Sequence, residues 1–258
     1  MVSIIIASPS AEIQAASGRY LASLFPGGEA EIIGLPPSSN AANICNQGAA
    51  LAKGEFLIFS RGQIEFLASD FHCKLLGDMQ HCDLLGLCGT TLVCGASWIS
   101  AGLPHVYGQL AMPNPNQPGW TNVFMWSVTQ RRADGMQALD GLFLCARRSV
   151  VEPLHFDAEL FKGYSAYDID FTFRARQKGF RLSIANDLNP ICSSLPLQDA
   201  QRVEAARAFD RKYQDQLPFH LRQPFQTGIV SVSNRAEIVD VMSPPHWNEN
   251  CQRNSLAR

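Results

Sequence analysis

The sequence has no apolar run able to cross a bilayer. Its longest runs, such as Ser3 to Ala7 and Phe56 to Phe59, fall far below the roughly 20 residues a spanning helix needs. It also lacks an excess of either charge: 21 Lys+Arg face 23 Asp+Glu, for a formal net charge of -2 and a pI near 6.3. Without a broad electropositive field it is not expected to bind nucleic acid, and adsorption to an anionic membrane is disfavoured. No basic stretch or small-residue cleavage site precedes the first apolar segment, so no secretory signal is expected and a cytoplasmic location is. None of the eight cysteines falls in a CxxC pair, and they sit in apolar segments, as reduced core residues do. His72-Cys73 and His81-Cys82 are adjacent pairs flanking an apparent turn, which suits packing better than a metal clamp. Neither GxGxxG nor GxxxxGK[ST] occurs after a strand, which removes the main support for a dinucleotide-binding or P-loop reading. What the chain does have is 46% hydrophobic residues over 258 positions, enough for one substantial core or two small ones.

Apolar segments and breakers alternate along the first 90 residues. Val2 to Ala7 reads as a buried strand, followed by a helix capped by Ser10. Ala30 to Gly34 is a second apolar stretch, and Pro36 to Asn40 a capped loop. A helix from Ala41 to Lys53 then stops at Gly54, read as a left-handed cap. Glu55 to Phe59, Leu67 to Leu76 and Asp83 to Leu87 continue as strand, helix and strand, which predicts a mostly parallel sheet flanked by helices. From Gly89 to Met136, Gly, Pro, Asn and Trp replace any clear period, and a substrate-facing loop region is expected. Leu142 to Ala146 is a strand, a helix runs from near Ser165 to Gly179, Phe180 to Ala185 is a strand, and a helix spans Leu197 to Tyr213. Residues 216–258, rich in Pro, Asn and Gln, are expected to pack on the domain as an extension or to be partly flexible.

The most informative segment begins at Asp140-Gly141, continues through Phe156-Asp157, and reaches Gly163 to Asp168, Asp170 and Arg174, with Lys178-Gly179 closing the helix. Here the chain resembles the family 2 glycosyltransferases, in which a "DG-apolar" strand start, an "FD", a "G-x-x-x-[YE]-D-x-D" helix opening and an "R-x-x-x-x-G" helix end follow in that order. Upstream, Ser3 to Ala7 resembles their first strand, and Asn40 to Gly54 their "N-x-A-x-N-x-G-x-x-x-A-x-G" helix. Downstream, Phe209 to Tyr213 resembles their "F-x-x-K-[WY]" close. The resemblance covers residues 2–215 and implies one domain of GT-A fold, with a Rossmann-like central sheet and inverting transfer from a nucleotide sugar to an acceptor hydroxyl. The acceptor could be a glycan, a lipid-linked molecule or a protein.

By position in that pattern, Asp168 matches the catalytic base; the same Ser165-Ala-Tyr-Asp168 run also reads as a capping box. Ala7, Ser8, Asn40, Asn43, Arg61, Gln63, Asp140 and Gly141 are implied to line the donor, with helix capping as the plainer reading of Asn40 and Asn43. Trp98, Tyr167, Asp170 and Arg174 are acceptor-binding or supporting candidates. Trp98, Trp120 and Trp126 could each be a sugar platform or core packing, and Asp170 with Arg174 could be a solvated ion pair. One departure stands out. Where the family carries "D-x-D", this chain has Arg61 and Gln63, with Glu65 beyond. Mg²⁺ or Mn²⁺ wants oxygen ligands, and a guanidinium repels it, so no metal ligand is assigned although either ion stays possible. Two readings follow: Arg61, with Lys53, replaces the cation, or the fold serves as a non-catalytic module that binds nucleotide, glycan or protein.

Overall fold

Every residue of Val2–Ile6 is buried, because this strand is covered on both faces. Ile4 and Ile6 join a cluster with Leu21, Phe25 and Phe71, whereas Ile5 and Ala7 join another with Ala41, Ile44 and Phe171. The computed structural model describes residues 1–193, 201–218 and 227–247. In chain order its strands are β1 (Val2–Ile6), β2 (Ala30–Ile32), β3 (Phe56–Ser60), β4 (Ile64–Phe66), β5 (Leu84–Gly86), β6 (Cys88–Thr90) and β7 (Val106–Pro113). They continue as β8 (Thr121–Trp126), β9 (Arg132–Asp134), β10 (Ala138–Leu139), β11 (Phe143–Arg147), β12 (Leu182–Ala185), β13 (Pro190–Cys192) and β14 (Gly228–Val232). The helices are α1 (Ala11–Ser23), α2 (Ala41–Leu51), α3 (Phe71–Asp78), α4 (Arg148–Leu154), α5 (Tyr167–Gln177), α6 (Arg202–Tyr213) and α7 (Arg235–Val241).

The first sheet has the order β2-β1-β3-β11-β5-β12-β9. β1 is parallel to β2 and β3, and β5 to β12; β11 runs antiparallel between β3 and β5, and β9 antiparallel at the edge. The expected mostly parallel sheet is therefore present, with one reversed strand inserted at its centre. That insertion positions the site. Phe143 pairs with Ser60, so the residues just after β3 and just before β11 meet at the same end of the sheet.

The stretch Gly89 to Met136 is not the loop region expected of it. It contributes β7, β8 and part of β6 to a second sheet, in which these three run antiparallel, and β9 to the first. Its alternation is hidden because Gly108, Gln109 and Ala111 occupy buried positions of β7 that an apolar pattern would fill with larger residues. Beyond the main domain, β14 pairs with β8, and Val232, Ile238, Met242 and Trp247 form a third cluster with Ala111, Val123 and Met125. The start of the expected helix at Leu197 to Ala200 lies outside the described residues. α2 ends two residues earlier than the glycine stop implies. Its cap, Ala52, is extended (φ -63°, ψ 143°), and Gly54 instead allows close approach, since a Cβ there would lie 2.7 Å from Ser3 N. No helix among the described residues is long and apolar enough to cross a membrane.

Candidate active site

The loop after β3 turns on Gly62 (φ +81°) and Gln63 (φ +55°) and brings Arg61 beneath the turn that leads into β11. Arg61 N–H donates to Leu142 O at 3.2 Å, and its Nη2 donates to Asp140 Oδ1 at 2.8 Å. The same Oδ1 accepts from Leu142 N–H at 2.8 Å, and Asp140 Oδ2 accepts from Trp98 Nε1 at 2.9 Å. Trp98 packs edge-on against Trp126, with ring centres 5.0 Å apart.

Asp168 approaches this turn from α5. Ala166, in the left-handed region (φ +65°), introduces the helix, and no side chain caps it. The expected capping box is therefore absent. Asp168 Oδ2 instead accepts from Gly141 N–H at 2.6 Å, and one turn later Thr172 Oγ1 accepts from Leu139 N–H at 3.0 Å while donating to Asp168 O at 2.7 Å. Four helical residues rise about 6 Å and two strand residues about 6.6 Å, so positions 168 and 172 match positions 141 and 139 rung for rung. Gly141 is required at this junction: a Cβ there would lie 2.6 Å from Asp168 Cβ and 2.9 Å from the Tyr167 hydroxyl.

Burial, and then the neighbouring Asp140 charge, push the Asp168 carboxyl up to about 6, against the opposing pull of Arg61 and the Gly141 N–H. Burial disfavours the charge on Arg61, but Asp140, with Tyr167 and Asp168 beyond it, more than offsets that and keeps the guanidinium protonated. Burial also raises the Tyr167 phenol and the Cys45 and Cys88 thiols far from the reactive range. Arg61 Nε is buried without a hydrogen-bond partner among the described residues.

The other candidates divide. Ala7 N–H donates to Ser60 O at 2.7 Å, which places β1's end beside Arg61, yet Ala7 and Ser8 are each 1% exposed. The Ser8 hydroxyl accepts from Ser10 N–H, so the first of the expected donor contacts is a sealed turn and not an open wall. Asn40 acts as a cap, accepting from Asn43 N–H at 3.0 Å, and its amide also donates to Ala158 O. Asn43 is half-buried on the first turn of α2. Gln63 is exposed and its backbone is tied to Ser17 and Ser193, so it joins Arg61 only through the loop. Lys53 precedes β3 whereas Arg61 follows it, and five strand residues separate them by roughly 16 Å, which rules out joint action. Glu65 is paired with Arg235 of α7.

Asp170 and Arg174 are neither a solvated pair nor open to an acceptor. Asp170 is fully buried; it accepts from Arg174 Nε at 2.8 Å, Lys212 Nζ at 2.6 Å and the Tyr213 hydroxyl at 2.7 Å. Arg174 also donates to Leu154 O and His155 O, each at 2.7 Å. The two residues hold α5 to α6 and to the end of α4. Trp126 is buried and donates to Thr227 Oγ1, while Trp120 is 37% exposed at the end of the β7 to β8 turn. Sequence reasoning missed Thr172, and Asn46, whose amide both donates to and accepts from the Phe156 backbone at 2.8 Å. The spacing of Thr172 from Asp168 was the available signal.

Where the resemblance implies a divalent cation, the donor set does not fit one. A guanidinium held on Asp140 stands at the position of the oxygen ligands, and among the described residues no group of three or more His, Cys, Asp or Glu side chains could hold a metal ion.

A family model described as "Glycosyltransferase like family" matches residues 3–213. No curated protein sequence matches the chain. Among solved structures, S. aureus TarS is similar at 15% identity and a TM-score of 0.47, over 76% of this chain and 37% of TarS. A shorter TarS chain in complex with UDP-GlcNAc is similar at 13% identity and a TM-score of 0.43, over 76% of this chain and 59% of that one. The chain thus spans little more than a third of the full TarS chain.

Proposed function

The chain belongs to the glycosyltransferase-like family, and from that premise we propose that it moves a sugar from a nucleoside-diphosphate sugar to an acceptor hydroxyl with inversion. Asp168 is the general base. The observation that carries this reading is a buried carboxylate at the mouth of α5, pinned through Oδ2 by the Gly141 N–H and held near 6, so that it is ionised at neutral pH yet still basic enough to take a proton. The acceptor oxygen attacks the anomeric carbon as its proton passes to Asp168. The bond from that carbon to the diphosphate breaks, and the electron pair leaves with the nucleoside diphosphate.

Arg61 stands in for the metal in this reading. Its Nε–H, buried and without a partner among the described residues, would be satisfied by a phosphate oxygen, and its charge offsets that of the leaving group. TarS in complex with UDP-GlcNAc supports a nucleotide-sugar donor as the class to test. A panel of UDP- and GDP-sugars, followed by release of nucleoside diphosphate, tests the assignment. Asp168→Asn should lower kcat by about 10²- to 10⁴-fold, and undiminished turnover would reject the base.

A second reading, a non-catalytic binding module, is favoured by one feature: Asp140 already neutralises Arg61. Slow donor hydrolysis in water separates the two, since a transferase shows it and a scaffold does not.

A further inference from the structure

α6 runs parallel to α5. Asp170 meets Lys212 and Tyr213, Phe173 meets Tyr213 with rings 5.1 Å apart, and Gln177 meets Gln216. The earlier turns of α6 therefore extend past the N-terminus of α5. A surface concavity of about 410 Å³ lies between α6 and residues 160–162, lined by Lys162, Arg207, Arg211, Glu204 and Leu160 among others. Phe161 and Phe209 pack together beside it, with ring centres 6.5 Å apart.

Three cations against one carboxylate leave this surface positive. Among the described residues, none of the three enters an ion pair, although the adjacent Lys212 is engaged by both Asp157 and Asp170. Arg207 and Arg211 are four apart on one helix face, a like-charge pair that weakens the helix unless an anion offsets it. The contacts run from Arg61 through Asp140 and Gly141 to Asp168, and then along α5 from Asp170 to Lys212 and α6. Asp168 and Thr172 face the Gly141 turn whereas Asp170, Phe173 and Gln177 face α6, so the two cationic regions lie on different sides of α5.

We infer that this concavity binds a phosphate dianion or a phosphoryl group, whether or not the transferase reading above holds. Two guanidinium forks and one ammonium suit the three outer oxygens of a phosphate dianion better than the two of a carboxylate.

Inorganic phosphate titrated into the ¹⁵N-labelled full chain, followed through the arginine Nε–Hε resonances, tests it. The Arg207 and Arg211 signals should shift and saturate, and a double Arg207→Gln/Arg211→Gln variant should raise the phosphate Kd by at least about tenfold, with UDP affinity unchanged. Arg61→Gln should do the reverse. An absent response in the parent chain, or one the double variant leaves intact, would overturn the inference. So would capture by phosphatidylglycerol vesicles without any saturable phosphate response, which would mark a lipid surface instead. If phosphate saturates the site but no nucleotide sugar is ever turned over, the transferase reading fails while the anion site stands.

Discussion

Gly141 and Asp168 are joined by a 2.6 Å hydrogen bond from backbone N–H to carboxylate, and the glycine has no room for any side chain on the face it turns to the aspartate. The bond fixes the orientation of the carboxylate.

Gly141→Ala should therefore destabilise the protein by about 1–3 kcal/mol through overpacking, and should abolish turnover by displacing Asp168. Gly77→Ala is the control. That helical glycine has nothing within 4 Å of its would-be Cβ, so the change should be neutral or stabilise by about 0.5–1 kcal/mol. Urea unfolding of both variants and donor turnover of each provide the comparison; a Gly141→Ala enzyme of parental activity would contradict the geometry.

The acid limb of kcat/KM should lie near pH 6, since Asp168 must be ionised to accept a proton. Asp140→Asn removes a charge that raises the Asp168 pKa and should move the limb down; Arg61→Met removes one that lowers it and should move the limb up. Stability follows the same group with a fixed sign. A carboxyl whose folded pKa is raised contributes stability below its unfolded value, near 3.8, and loses it as pH rises through about 6. Asp168→Asn should thus gain stability relative to the parent between pH 4 and 7. Thermal unfolding across that interval checks it, and a constant difference would refute the raised pKa.

Asp170 is the buried anion of a three-donor clamp, and removing it leaves Arg174 without a carboxylate partner and Lys212 with Asp157 alone. Asp170→Ala should cost about 3–5 kcal/mol, a fall of roughly 10 °C in Tm for a chain of this size. Tyr213→Phe, which removes one neutral donor, should cost about 1 kcal/mol. Equal, small effects in both would show that the clamp is not the joint between α5 and α6.

Turnover should survive EDTA, because a guanidinium stands where oxygen ligands would be needed. Activity abolished by EDTA and restored by Mn²⁺ would reject the replacement of the cation by Arg61.

The sequence alone determined the alternation of the first 90 residues and the buried β1, because uninterrupted apolar runs and breakers are local signals, and the resemblance to the family singled out Asp168. Asp168 was legible as a candidate, but its partner was not. A carboxylate three residues after a serine satisfies the capping pattern whatever it meets in space, and only the packing of α5 on β10 gave it Gly141 in place of a helix amide. The reach of Asp170 to Lys212 and Tyr213 spans more than 40 residues, and the second sheet joins residues 88–126 to β14, a hundred positions on. Tertiary structure decided these, since they depend on which strand ends share a sheet edge and on burial that changes a carboxylate from a surface ion into a group of raised pKa or a clamp. Neither is written in the spacing of neighbouring residues.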